Sequence, residues 1–120
     1  MRQQVGAVEE VHASGARLLV TVDCGTVSHA PIAEAARLGL DTVVLDHHQA
    51  PEALPAACAI VNPNRQDDTS GLGYLCAAGV TMIFIATVNK MLRQKGWYGA
   101  ERPEPNMLQW LELVSLATVC

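Results

Sequence analysis

The chain has 120 residues, enough for one domain of ordinary size. Half of them are hydrophobic and only 4% are aromatic, so the core must be built from Leu, Val, Ile and Ala. The net charge of −4 supplies no basic face for gripping a nucleic-acid backbone, which argues against this segment holding DNA by itself.

Residues 5–14 form the first expected helix: Val5, Val8 and Val11 recur on one side, and Gly15 can end it. His12 lies on this surface helix without a partner and reads as solvated. Residues 17–22 (RLLVTV) are a continuous apolar, β-branched run, as expected of a strand covered on both faces. Asp23-Cys24-Gly25-Thr26 breaks that run. Ser28 can cap the next helix, Pro31 suits its first turn, and Ile32, Ala35, Ala36 and Leu38 give it an apolar stripe before Gly39. Residues 41–45 (DTVVL) are a second buried strand, ended by Asp46-His47-His48. Strand, helix and strand within about thirty residues make a βαβ unit, which crosses over right-handed into a parallel sheet.

Beyond Pro51 and Pro55, Ala59-Ile60-Val61 reads as a short third strand before Asn62-Pro63-Asn64. Residues 65–73 are polar and turn-rich, residues 74–95 a long apolar helix, and residues 96–105 a linker loop. A last helix over residues 107–120 has its polar positions Gln109, Glu112, Ser115 and Thr118 three apart. Only a narrow stripe of it should therefore be wet, with the rest buried. The fold class is α/β: a parallel sheet with flanking helices, in one domain over residues 1–120.

Other features carry less. The spacings of Cys24, Cys58, Cys76 and Cys120 match neither a zinc knuckle nor a Cys-x-x-Cys pair. With no signal-peptide pattern at the start, they read as reduced thiols of a cytoplasmic protein, Cys24 and Cys76 being small buried side chains. The apolar run over residues 72–88 approaches the length of a bilayer span, but fits better as a core helix of an α/β protein than as a membrane segment.

Parallel sheets bind ligands beyond the carboxyl ends of their strands. Asp23 sits just past the first strand, and Asp46, His47 and His48 sit at the same end of the second. If the strands are neighbours, one carboxylate and two imidazoles converge on one sheet edge. Such a set suits a divalent ion such as Mn²⁺, Zn²⁺ or Fe²⁺, with further carboxylates needed to complete the shell. Taken singly, each residue has a plainer use: Asp23 capping a turn, the histidines bonded to backbone. Their coincidence at one edge favours a site. His29, at a helix start near Asp23, is a minor candidate. The Gly71-Leu72-Gly73 turn could offer backbone N–H groups to a phosphate, although the Lys and Ser/Thr of a Walker loop are missing.

Val20-Thr21-Val22-Asp23-Cys24-Gly25 and Val44-Leu45-Asp46-His47-His48 resemble the second motif and the Asp-His-His signature of the DHH phosphoesterase superfamily. Within it, residues 59–64, 71–80 and 113–120 resemble RecJ-type exonucleases, so the likeness runs over residues 15–120. The resemblance implies a two-ion Mn²⁺ or Mg²⁺ centre that activates water for attack on a phosphodiester. It implies Asp23 as the carboxylate shared by the ions, His47 as a ligand, His48 as a contact to the substrate phosphate, and Asp46 as a support that orients a histidine. Asp23, His47 and His48 are then the catalytic residues. The implied substrate is single-stranded DNA, degraded from its 5′ end in recombination and repair.

Two family motifs fall outside these residues. An Asp-x-Asp turn belongs upstream of Met1, and the Asp of the fourth motif belongs after Cys120. The expectation is a partial catalytic domain with little nuclease activity when isolated. Two other readings stand beside it: a DHH phosphoesterase acting on oligonucleotides, cyclic dinucleotides or pyrophosphate, and a non-catalytic α/β binding module.

Overall fold

Two of the apolar runs lie side by side as parallel strands in the computed structural model, which describes residues 2–119. In chain order the elements are α1 (Arg2–Ala13), β1 (Leu18–Val22), α2 (His29–Arg37), β2 (Asp41–Leu45), β3 (Ala59–Val61) and α3 (Ala77–Gln94). A 3-10 turn (Met107–Trp110) then leads into α4 (Leu111–Val119).

The sheet order is β1-β2-β3, all parallel. Leu18 pairs with Asp41 and Val22 with Leu45, so β1 and β2 end level with each other. Leu45 pairs with Val61, which brings the end of β3 to the same edge. The ladder continues one residue further, since Asp23 N–H donates to Leu45 C=O at 2.9 Å and Asp46 N–H to Val61 C=O at 3.0 Å. Three strands therefore deliver their following loops to one rim.

Side chains alternate across a strand, so the two sheet faces can be told apart. Leu19 and Thr21 share a cleft with Val8 and Val11 of α1 and Ile32 of α2. Val22 shares another with Ala78, Met82 and Ile85 of α3 and Leu113 of α4. Helices α1 and α2 thus lie on one face, α3 and α4 on the other. The core sits mainly on the first face, where Val8, Ala35 and Leu40 are buried with Leu19 packed against them. Val44 is fully buried beside them, while Leu45 on the other face is also buried.

The structure corrects several sequence expectations. Strand β1 is not covered on both faces: Leu18, Val20 and Val22 are 56%, 43% and 47% exposed. Helix α3 packs on the central strand β2, leaving that face of β1 open. Helix α4 is not largely buried either. Leu111, Leu113, Leu116 and Val119 are all exposed, because α4 packs against α3 on one narrow side only. Ser28 occupies the N-cap position of α2, but its side chain makes no capping bond. Helix α3 starts at Ala77, not at residue 74, because Leu75 N–H closes a turn onto Leu72 C=O. Cys24 is exposed and Cys76 half-buried, so neither is a buried core side chain. Cys120 lies outside the described residues.

The expected linker over residues 96–105 is tied back to α3. Tyr98 Oη donates to Asn89 Oδ1 at 2.7 Å, and Arg93 pairs with Glu104. Arg102 stacks 4.0 Å over the Trp97 ring. No helix among the described residues is long and apolar enough to cross a membrane.

Candidate metal centre

The turn after β1 is shaped by its backbone. Asp23 has φ +63°, a left-handed conformation that Asp tolerates better than most residues. Gly25 follows at φ +119°. A Cβ there would lie 2.6 Å from Thr21 Oγ1 and 3.0 Å from Val44 Cγ1, so only glycine fits. Thr21 Oγ1 also donates to Cys24 C=O at 2.9 Å, closing the turn from below. This geometry lifts the Asp23 side chain off the sheet edge, where it is 62% exposed.

The loop after β2 is shaped by one buried carboxylate. Asp46 Oδ1 accepts from His47 N–H at 2.8 Å and lies 2.7 Å from His48 Nδ1. Its Oδ2 accepts from Thr26 N–H at 3.1 Å, which joins the first loop to the second. Burial pushes the Asp46 carboxyl pKa up, but hydrogen bonds from the Thr26 side chain, His48 and the Thr26 and His47 amides outweigh it. The group is held well below the usual carboxylate range and stays ionised. In return, the bond to Asp46 raises the pKa of His48. An ionised Asp46 can only accept, so His48 carries its proton on Nδ1 and turns Nε2 outward.

These supports bring three donors together. His47 Nε2 lies 3.1 Å from Asp23 Oδ1, and one ligand atom from each of Asp23, His47 and His48 falls within 4.8 Å of the others. The two imidazoles are tilted by 53° with centroids 4.7 Å apart. Neighbouring donors on an octahedral ion, each bonded at about 2.1 Å, lie roughly 3.0 Å from one another. The Asp23–His47 separation matches that edge, and oxygen plus imidazole nitrogen suits a divalent transition ion. The residues present therefore fit a metal. Three donors do not close a six-coordinate shell, so the other positions fall to water, substrate oxygen or further carboxylates.

Asp23 and His47 form the polar end of an apolar cleft of about 600 Å³, walled by α3, α4 and Val22. The expected site residues Asp23, Asp46, His47 and His48 are thus gathered at one rim. His29 and His12 are exposed and stand outside the cluster. In the Gly71–Gly73 turn, Leu72 N–H already bonds Ser70 Oγ at 3.2 Å, and Gly73 packs against Asn64.

The sequence reading missed Thr26, Asn62 and Asn64. Asn62 is buried beneath the loop: its Nδ2 donates to Thr26 Oγ1 at 3.0 Å and to His48 C=O at 2.9 Å. Asn64 Nδ2 donates to His47 C=O at 2.5 Å and to Gly73 C=O at 3.0 Å. The signal was available, since Asn62-Pro63-Asn64 follows β3 as Asp46-His47-His48 follows β2.

Residues 2–118 match the DHH family, N-terminal domain. The chain belongs to the DHH family. This DHH chain is 41% identical over 113 residues to the single-stranded-DNA-specific exonuclease RecJ of Escherichia coli. It is 44% identical over 114 residues to that of Dickeya dadantii. Each alignment takes in 93% of this chain and 20% of the relative, so the DHH chain spans about a fifth of those proteins. Its fold is similar to a crystal structure of exonuclease RecJ bound to manganese, with a TM-score of 0.70 and 26% identity over 95% of this chain and 26% of that one. The structure of RecJ in complex with Mn²⁺ from Thermus thermophilus gives the same TM-score and identity, over 96% of this chain and 16% of that one.

Proposed function

We propose that these residues are part of the catalytic domain of a metal-dependent 5′→3′ single-stranded-DNA exonuclease of the RecJ type. The observation that carries the reading is the 3.1 Å approach of His47 Nε2 to Asp23 Oδ1 at the strand-end rim. The 41–44% identity to RecJ enzymes supports reading that pair as metal ligands.

The residues divide the work. Asp23 would be the carboxylate ligand that the ions share, and its side chain is exposed at the rim. His47 is a ligand through Nε2. His48, fixed by Asp46 at Nδ1, directs an Nε2–H donor at a substrate phosphate, the role that a raised imidazole pKa favours. Asp46 is too buried to reach an ion and orients both histidines. When bound, Mn²⁺ or Mg²⁺ supplies charge to neutralise the phosphodiester and a water acidic enough to ionise near neutral pH. Scission of DNA from its end in recombination and repair places the protein in the cytoplasm with its substrate.

The test uses the full-length protein that carries these residues, with Mn²⁺ and 5′-labelled single strands. His47→Ala should lower the rate at least 100-fold. An unchanged rate would favour a non-catalytic module. A preference for dinucleotides over long single strands would move the assignment to another DHH phosphoesterase.

A further inference from the structure

We propose that Asn62 and Asn64 are positioning residues for the histidine pair of the metal site, His47 and His48, and that Gly73 holds Asn64 in place. The inference rests on the metal-site reading above and extends it to a third strand end.

Each histidine of the pair is fixed twice. From within its own loop, Asp46 takes the amide of His47 and the ring of His48. From the loop after β3, Asn62 takes the carbonyl of His48 and Asn64 the carbonyl of His47. Both carbonyls of the pair are thus spoken for by two polar side chains of one loop. The amide orientations are dictated, because only an NH₂ can donate to these carbonyl oxygens. Asn62 Oδ1 meanwhile accepts from Asn64 N–H at 2.8 Å, so the two asparagines hold each other.

The supports also reach Asp23's side of the site. Asn62 bonds Thr26, whose amide bonds Asp46 Oδ2. Thr26, Asp46 and Asn62 are 1%, 2% and 3% exposed, so this network is shielded from competing water. The asparagines fix the backbone from which both imidazoles project, so a shift of that backbone requires a carbonyl to leave an asparagine. That is why side chains that touch no ion set the donor geometry.

Gly73 extends the chain of contacts to the segment before α3. A Cβ at Gly73 would sit 2.6 Å from Asn64 Oδ1. Gly73 has no left-handed φ, so alanine there is not opposed by its own backbone. Its effect falls on Asn64 instead. Gly73→Ala therefore pushes on His47 from outside the site, with no donor or ligand removed.

The experiment measures Mn²⁺ affinity of the metal-depleted full-length protein, from the electron paramagnetic resonance of free Mn²⁺, beside its melting temperature. Asn62→Asp keeps the shape but turns a carboxylate oxygen toward the His48 carbonyl. It should weaken Mn²⁺ binding about 10- to 100-fold, because Asn62 also holds Asn64 and with it the loop that carries His47. Asn64→Ala should weaken it about tenfold, and Gly73→Ala about threefold, with melting changed little in both. Folded Asn64→Ala and Gly73→Ala proteins with wild-type Mn²⁺ affinity would overturn the proposal, whether or not Asn62→Asp folds. His47→Ala is the control. If it too keeps full affinity, the metal-site reading itself has failed. If it loses Mn²⁺ while the asparagine and glycine variants do not, only the positioning role has failed.

Discussion

The turn after β1 is held by its backbone, whereas the loop after β2 is held by side chains. In the first, a left-handed Asp23 and a glycine against Thr21 and Val44 fix the path of the chain. In the second, Asp46 collects the loop's amides and one imidazole while two asparagines hold its carbonyls. A single acidic ligand needs only a lifted backbone. Two adjacent imidazoles must be aimed separately, and that takes hydrogen bonds to ring and backbone alike. The two loops should therefore break in different ways.

The largest effect is expected from Gly25→Ala. It adds a Cβ at 2.6 Å from Thr21 Oγ1 in a backbone region unfavourable to alanine. The destabilisation should be about 3 kcal/mol, measured by urea unfolding. Asp46→Asn breaks the second loop with no change of shape. It removes the charge that accepts from Thr26, His47 and His48, and should cost about 2 kcal/mol in the same measurement. It should also free the His47 amide that sets the ligand's loop, so Mn²⁺ affinity falls with stability.

The same carboxylate sets a pH signature for metal-free protein. Its folded pKa is depressed, so its contribution is complete above the unfolded value near about pH 4 and is lost as pH falls through the folded value. His48 has a raised pKa, so its contribution is complete below about pH 6.5 and is lost as pH rises through the folded value. Melting temperature should peak between those limits, and Asp46→Asn should flatten both flanks. Flanks as steep as in wild type would contradict the Asp46–His48 pairing.

Asp23→Asn should have the smallest effect on folding. The side chain is exposed and Asn accepts a left-handed backbone, so stability should change by less than about 0.5 kcal/mol. Mn²⁺ affinity should nevertheless fall at least tenfold by calorimetric titration. Retained affinity would remove Asp23 from the ligand set.

Much of this was legible in the sequence because strand-end residues announce themselves. RLLVTV and DTVVL end at Asp23 and Asp46, and parallel pairing makes those ends neighbours. The open face of β1 was not legible. An apolar run states that a strand can be covered, not that a helix packs on it, and α3 packs on β2 while Leu18, Val20 and Val22 stay exposed. Helix α4 misled for the same reason: the apolar character of Leu113 and Leu116 does not name a partner. Asn62-Pro63-Asn64 matched the RecJ-type pattern, but nothing local gave either asparagine a role. Their aim at the histidine carbonyls depends on the β2–β3 register, which no local pattern specifies.

The most direct measurement is anomalous diffraction at the manganese edge from crystals of the full-length protein grown with Mn²⁺. The account predicts a peak bonded to both Asp23 and His47 Nε2 at about 2.2 Å, with His48 Nδ1 still on Asp46. Manganese bound elsewhere, or a peak touching only one of the two, would contradict it.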